Sequence, residues 1–72
     1  MHLIKIMIRE ILAKNIKKYR KRSGLTQNRF AELCGVSASL VAHIETKGCN
    51  ASIAFLEKAC TVLKIAPGQL FE

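Results

Sequence analysis

Residues 24–46 read GLTQNRFAELCGVSASLVAHIET, and this stretch decides the fold. Thr26 has the side chain of a helix N-cap, an oxygen that can accept from a free backbone N–H of the first turn. After it, Phe30, Ala31 and Cys34 recur at helical spacing and share one face. Gly35 interrupts the run and supplies the left-handed residue that closes such a helix. Ser37 caps a second helix over residues 38–46, with Val41 and Ile44 facing inward. Two short helices so closely joined must cross, and small Ala31 leaves room at the crossing.

The rest of the chain extends this pattern in both directions. Upstream, Ile8, Ile11, Leu12, Ile16 and Tyr19 recur at three- and four-residue steps, while Lys and Arg fill the other face. Ser23-Gly24 ends that first helix. Downstream, Lys47-Gly48-Cys49-Asn50 reads as a polar loop, and Ser52 caps a fourth helix running to about Lys64. Its inward residues are expected to be Ile53, Leu56, Ala59, Cys60 and Leu63. Pro67 suits the first position of a short fifth helix carrying Leu70 and Phe71. Residues 1–8 are ambiguous. They can extend the first helix, but Ile4, Ile6 and Ile8 alternate as in an extended arm. An apolar arm would be exposed on a monomer, so a place at a subunit interface is the expectation. Residues 9–72 form the main domain.

Seventy-two residues suffice for one domain, with a core that removes only ~60% of the unfolded chain's surface from water. Twelve Lys and Arg against five acids give a net charge of +7. The charge is not spread evenly. Lys5, Arg9, Lys14, Lys17, Lys18, Arg20, Lys21 and Arg22 face a single acid, Glu10, within residues 1–22. Residues 23–72 hold four charges of each sign. A basic helix face can be merely solvated, but an excess of this size points to a polyanion, nucleic acid first and an anionic membrane surface second. A membrane-bound basic helix would leave the other fifty residues unexplained, so no membrane partner is expected.

Catalysis and metal binding find no pattern. The acids are scattered, no Ser or Cys stands at a recognisable spacing from a His, and no phosphate loop exists. Cys34, Cys49 and Cys60 are widely spaced and contain no CxxC pair, so reduced thiols, no metal and no cofactor are expected. Cys34 and Cys60 fall on apolar faces. The start of the chain lacks a small-residue cleavage site, and a cytoplasmic protein is the expectation.

The capped pair with Ala31 and Gly35 is the layout of a helix-turn-helix, whose second helix leaves its outer face free for the major groove. Several segments then resemble the lambda-repressor/Cro-like, or XRE, family of DNA-binding domains. They are Ile16-Lys17-Lys18-Tyr19-Arg20, Gly24-Leu25-Thr26-Gln27, Phe30-Ala31-Glu32, Gly35-Val36-Ser37, Val41-Ala42-His43-Ile44-Glu45 and Ile65-Ala66-Pro67-Gly68-Gln69-Leu70-Phe71. The resemblance runs ungapped from about residue 10 to residue 72.

It implies an all-α, compact five-helix fold with the third helix as recognition helix. Ala38, Ser39, Ala42 and His43 would then meet base edges. Gln27 would contact phosphate, as would Thr46, Lys47 and Asn50, with Thr26 and Ser37 adding hydroxyls to their capping role. Arg20 and Glu45 stand where relatives form a structural ion pair. Four features depart from the family pattern. Two of the four base-facing residues are Ala, Arg29 replaces a usual acid, Lys47-Gly48 inverts the usual order, and Ala51 replaces a usual Pro. Few hydrogen bonds per half-site follow, with specificity leaning on methyl contacts and DNA shape.

The functional expectation is a sequence-specific regulator of transcription, of repressor or restriction–modification controller type. It would bind double-stranded DNA as a homodimer, with no small-molecule ligand and no enzymatic activity. The competing reading is an interaction module, or antitoxin-like partner of another protein, that keeps the fold with weak DNA readout.

Overall fold

The structure, a computed structural model, describes residues 2–72. Helix α1 spans His2–Arg22, α2 Gln27–Cys34, α3 Ala38–Lys47 and α4 Ile53–Leu63, and a 3-10 turn covers Pro67–Phe71. The expected fifth helix is a single 3-10 turn, begun by Pro67 and held by the Gln69 N–H donating to the Ala66 carbonyl at 3.0 Å.

The helix boundaries follow local chemistry. The hydroxyl oxygens of Thr26, Ser37 and Ser52 accept from the N–H groups of Arg29, Leu40 and Phe55, which caps α2, α3 and α4. Between α2 and α3, Gly35 lies at φ +72°. Its N–H donates to the Glu32 carbonyl while the Val36 N–H donates to that of Ala31, at 3.2 and 3.0 Å. This pair of bonds is a Schellman motif, and it satisfies carbonyls that would otherwise be orphaned.

The core is one cluster. Leu12, Ile16 and Tyr19 of α1 meet Phe30, Ala31 and Cys34 of α2, Val41 and Ile44 of α3, Phe55, Ala59 and Leu63 of α4, and Leu70. Phe30 and Phe55 pack edge-to-face with centroids 6.2 Å apart, the geometry their ring quadrupoles favour. Asn15 is the uncharged polar member of the α1 core face. Its Nδ2 donates to the Leu70 carbonyl at 2.8 Å, tying the 3-10 turn to α1.

Two expectations need correction. Ile53, expected inward, is 73% exposed, and Phe55 occupies the core in its place. Lys47 belongs to the last turn of α3 rather than to the loop, with Gly48 closing the helix at φ +65°. Of the two readings left open for residues 2–8, the structure shows the extension of α1, and the alternation of Ile4, Ile6 and Ile8 does not mark a strand.

Gly48 also carries a close approach. A Cβ built on it would lie 2.0 Å from the Arg9 carbonyl oxygen. The inverted Lys-Gly order thus lets α1 run against the end of α3, where a side chain would collide with backbone. Among the described residues no helix is long and apolar enough to cross a membrane.

Candidate nucleic-acid interface

Helix α3 has two unlike faces. Val41 and Ile44 are fully buried and Glu45 nearly so, whereas Ser39, Thr46 and Lys47 are exposed and Ala38, Ala42 and His43 half-buried. All four residues expected to face bases therefore reach the surface of one helix. Ser39 is the most open of them, and Ala38 and Leu40 rest partly against the core.

Glu45 fixes the inner face. Its Oε2 accepts from Arg20 Nε at 2.5 Å and its Oε1 from Arg20 Nη2 at 3.0 Å, a two-pronged pair between α1 and α3. Arg20 Nη1 donates in addition to the Leu25 carbonyl at 2.7 Å. The guanidinium therefore binds α3 and the turn before α2 together. Planar, fork-shaped Arg suits this role and Lys would not. The pairing implied by the family resemblance is present, and it removes one basic residue from the solvated charge of α1.

Gln27 is engaged within the fold. Its Nε2 donates to Glu45 Oε1 at 3.0 Å, and the residue is half-buried. The side chain closes a three-helix network rather than pointing freely outward. One amide hydrogen and the carbonyl oxygen stay unused by this bond.

The remaining expected phosphate ligands are all partly engaged or exposed. Thr26 and Ser37 use an oxygen lone pair in capping and keep the hydroxyl hydrogen. The Thr46 hydroxyl donates to the Ala42 carbonyl at 2.8 Å. Asn50 is exposed at φ +63°, and Lys47 is exposed. Lys14, Lys17, Lys18, Lys21 and Arg22 are exposed along α1. Lys18 and Arg22 lie 5.2 and 5.4 Å from the centroid of Tyr19, a cation–π arrangement that steadies two of these charges. Arg29 reaches Glu32 at 3.8 Å, a weak exposed contact within α2.

Among the described residues no three His, Cys, Asp or Glu side chains converge as a metal site would require. All three cysteines are free. Burial pushes the Cys34 thiol up from 9.0, opposed by Lys58, and raises Cys60 as well. Both are packing groups that hold their protons at neutral pH.

Residues 11–72 match the family model described as a helix-turn-helix domain, and the chain belongs to that family. An uncharacterized HTH-type transcriptional regulator, YazB of Bacillus subtilis, is 36% identical over 61 residues, covering 85% of this chain and 88% of its own. Control protein C.SmaI of Serratia marcescens is 35% identical over 49 residues, which are 68% of this chain and 58% of that protein. Among solved structures, the restriction-modification controller C.AhdI of Aeromonas hydrophila superposes with a TM-score of 0.81 at 30% identity, covering 88% of this chain and 96% of that one. The biofilm master regulator SinR, solved in complex with DNA, gives 0.78 at 37% identity over 85% of this chain and 98% of its own. All four are named as regulators or control proteins.

Proposed function

We propose that this chain is a sequence-specific regulator of transcription that binds double-stranded DNA as a homodimer, with α3 laid in the major groove. The two-faced character of α3 carries the reading. Its inner face is locked by Val41, Ile44 and the Arg20–Glu45 pair, while its outer face carries Ser39, His43 and the two alanines. A helix held so firmly from behind can enter a groove ~12 Å wide without reorganising.

Ser39 and His43 would then donate to or accept from base edges, and Ala38 and Ala42 would meet thymine methyls. Thr26, Ser37, Gln27, Thr46, Lys47 and Asn50 would contact phosphates, helped by free N–H groups at the starts of α2 and α3. The controllers and the DNA-bound regulator among its relatives support the assignment.

Selection from a random oligonucleotide pool tests it. The expected product is a motif of two half-sites about 34 Å apart. Its affinity should fall with log salt at a slope of ~0.9 per phosphate neutralised. Ser39→Ala should weaken the selected site by ~0.5–1.5 kcal/mol, the net worth of one neutral hydrogen bond, and leave the melting temperature in place. A pool with no enriched motif would instead favour the fold as a protein-interaction module, a reading to which the two alanines on the base-facing surface lend weight.

A further inference from the structure

Two apolar surfaces lie uncovered among the described residues, and they share no residue. The first is the N-terminal part of α1. Residues 2–11 run ~15 Å N-terminal to Leu12, the first core residue of the helix, at 1.5 Å per residue. Leu3 is 68% exposed, and Ile4, Met7 and Ile8 each about half. Ile4 and Ile8 continue, in four-residue steps, the line of Leu12 and Ile16, so the stripe of α1 goes on beyond the core with about half of each side chain in solvent. Lys5 and Arg9 line the same surface beside Ile4 and Ile8. The second is a groove of about 250 Å³ between α4 and the 3-10 turn. Ile53, Leu56, Cys60, Leu70 and Phe71 line it, and Glu57 supplies its charge. It has room for more than one branched aliphatic side chain.

We infer that the groove is filled by the N-terminal α1 segment of a second copy of this chain, and that the exchange is reciprocal. This rests on the homodimer reading above and names its interface. The chemistry of the two surfaces is complementary. One is an apolar ridge flanked by cations, the other an apolar trough whose charged lining residue is an acid. Pairing ridge with ridge would set Lys5 and Arg9 of two copies near each other with only Glu10 to offset them, and like charges in apposition disfavour a contact. Pairing trough with trough would bring Glu57 toward Glu57 and leave the ridge bare, an exposed apolar patch that isolated chains rarely keep. Reciprocal exchange covers all four surfaces and closes at two subunits, whereas a one-way contact would propagate into a larger ring or a filament.

Analytical ultracentrifugation of the full chain over a concentration series tests the proposal. The parent should sediment as a monomer–dimer equilibrium. Ile8→Glu in the ridge and Ile53→Glu in the trough should each raise the dimer dissociation constant by at least about tenfold, because association would strip water from a carboxylate and set it against apolar side chains. Both positions are solvent-facing, so circular dichroism should find both variants as helical as the parent. Mixing the two should restore part of the dimer, because the intact ridge of one variant fits the intact trough of the other. Lys5→Glu and Glu57→Lys should each weaken association, and the double reversal should recover it.

Failure to complement on mixing, with the parent still dimeric and the reversals additive, would refute the ridge-in-trough contact and leave the homodimer reading standing. A parent that grows beyond two subunits would refute the reciprocal closure. A parent that stays monomeric at every concentration, with or without its selected DNA, would overturn both readings.

Discussion

Replacing Glu45 by Ala removes the carboxylate that joins three helices. It accepts from Arg20 at 2.5 and 3.0 Å and from Gln27 at 3.0 Å. The paired side chains are only 9% and 2% exposed, so solvent screens the interaction little. Removing one partner of a buried ion pair costs ~3–5 kcal/mol, chiefly because the other charge is left buried alone. For 72 residues the whole folding free energy is on the order of 4–11 kcal/mol. Glu45→Ala should therefore remove a large share of it. With a urea slope of ~1–1.5 kcal/mol per molar for so small a domain, the unfolding midpoint should fall by ~2–5 M. The double substitution Arg20→Met with Glu45→Leu removes both charges at once and should be more stable than either single variant. Full recovery is not expected, since the Leu25 carbonyl also loses its donor. A midpoint shift below ~0.5 M for Glu45→Ala, or a double variant no better than the singles, would refute the reasoning.

Two further predictions concern the backbone and the core. Gly48→Ala and Gly35→Ala both place a side chain at positive φ, which costs ~1–2 kcal/mol. Only at Gly48 does the new Cβ meet backbone, so Gly48→Ala should be the more destabilising by urea titration, while Gly35 has nothing within 4 Å. Equal losses would mean that α1 does not press on the end of α3. The thiol of Cys34 has its pKa raised from 9.0 by burial, so the folded state binds this proton more tightly than the unfolded one. Its contribution is complete below pH 9.0 and fades as pH rises through the higher folded value. The stability gap between the parent and Cys34→Ala, measured by thermal melts, should narrow above pH 9.0; a constant gap would contradict the assignment.

How far these features can be read from sequence depends on the range of the interaction. The caps at Thr26, Ser37 and Ser52 and the turn at Gly35 are legible because each closes a bond three to five residues away. Helix α4 is less so, since Ile53, Phe55, Leu56, Ala59, Cys60, Val62 and Leu63 surround most of its circumference. Such a helix fixes no single inward direction, and its neighbours decide. They select Phe55, which meets Phe30, and leave Ile53 outside. The Arg20–Glu45 contact spans 25 positions, beyond any periodicity, and only the family resemblance points to it. The inward turn of Gln27 has no sequence signal, because it arises from a carboxylate oxygen that can take a second donor beside Arg20. Asn15 does have one, a polar residue inside the run Leu12, Ile16, Tyr19, which marks a carbonyl awaiting a partner.

Residues 2–8 show why two patterns can fit one segment. Ile4, Ile6 and Ile8 satisfy a period of two, while Ile4, Met7, Ile8 and Ile11 satisfy the helical period equally well. Nucleation separates the two readings. An isolated helix of this length would be marginal, since its first turn fixes several residues for one hydrogen bond. Here that turn is already formed, because residues 12–20 are held against the core by Leu12, Ile16, Tyr19 and the Arg20–Glu45 pair. Propagating backward from Leu12 adds one backbone bond for each residue fixed. A strand would instead need a partner edge, and no strand exists among the described residues. The close approach of Arg9 to Gly48 adds a second anchor at the base of the extension. The segment is thus helical because of what lies C-terminal to it, and its own residues decide only what the resulting ridge presents to solvent.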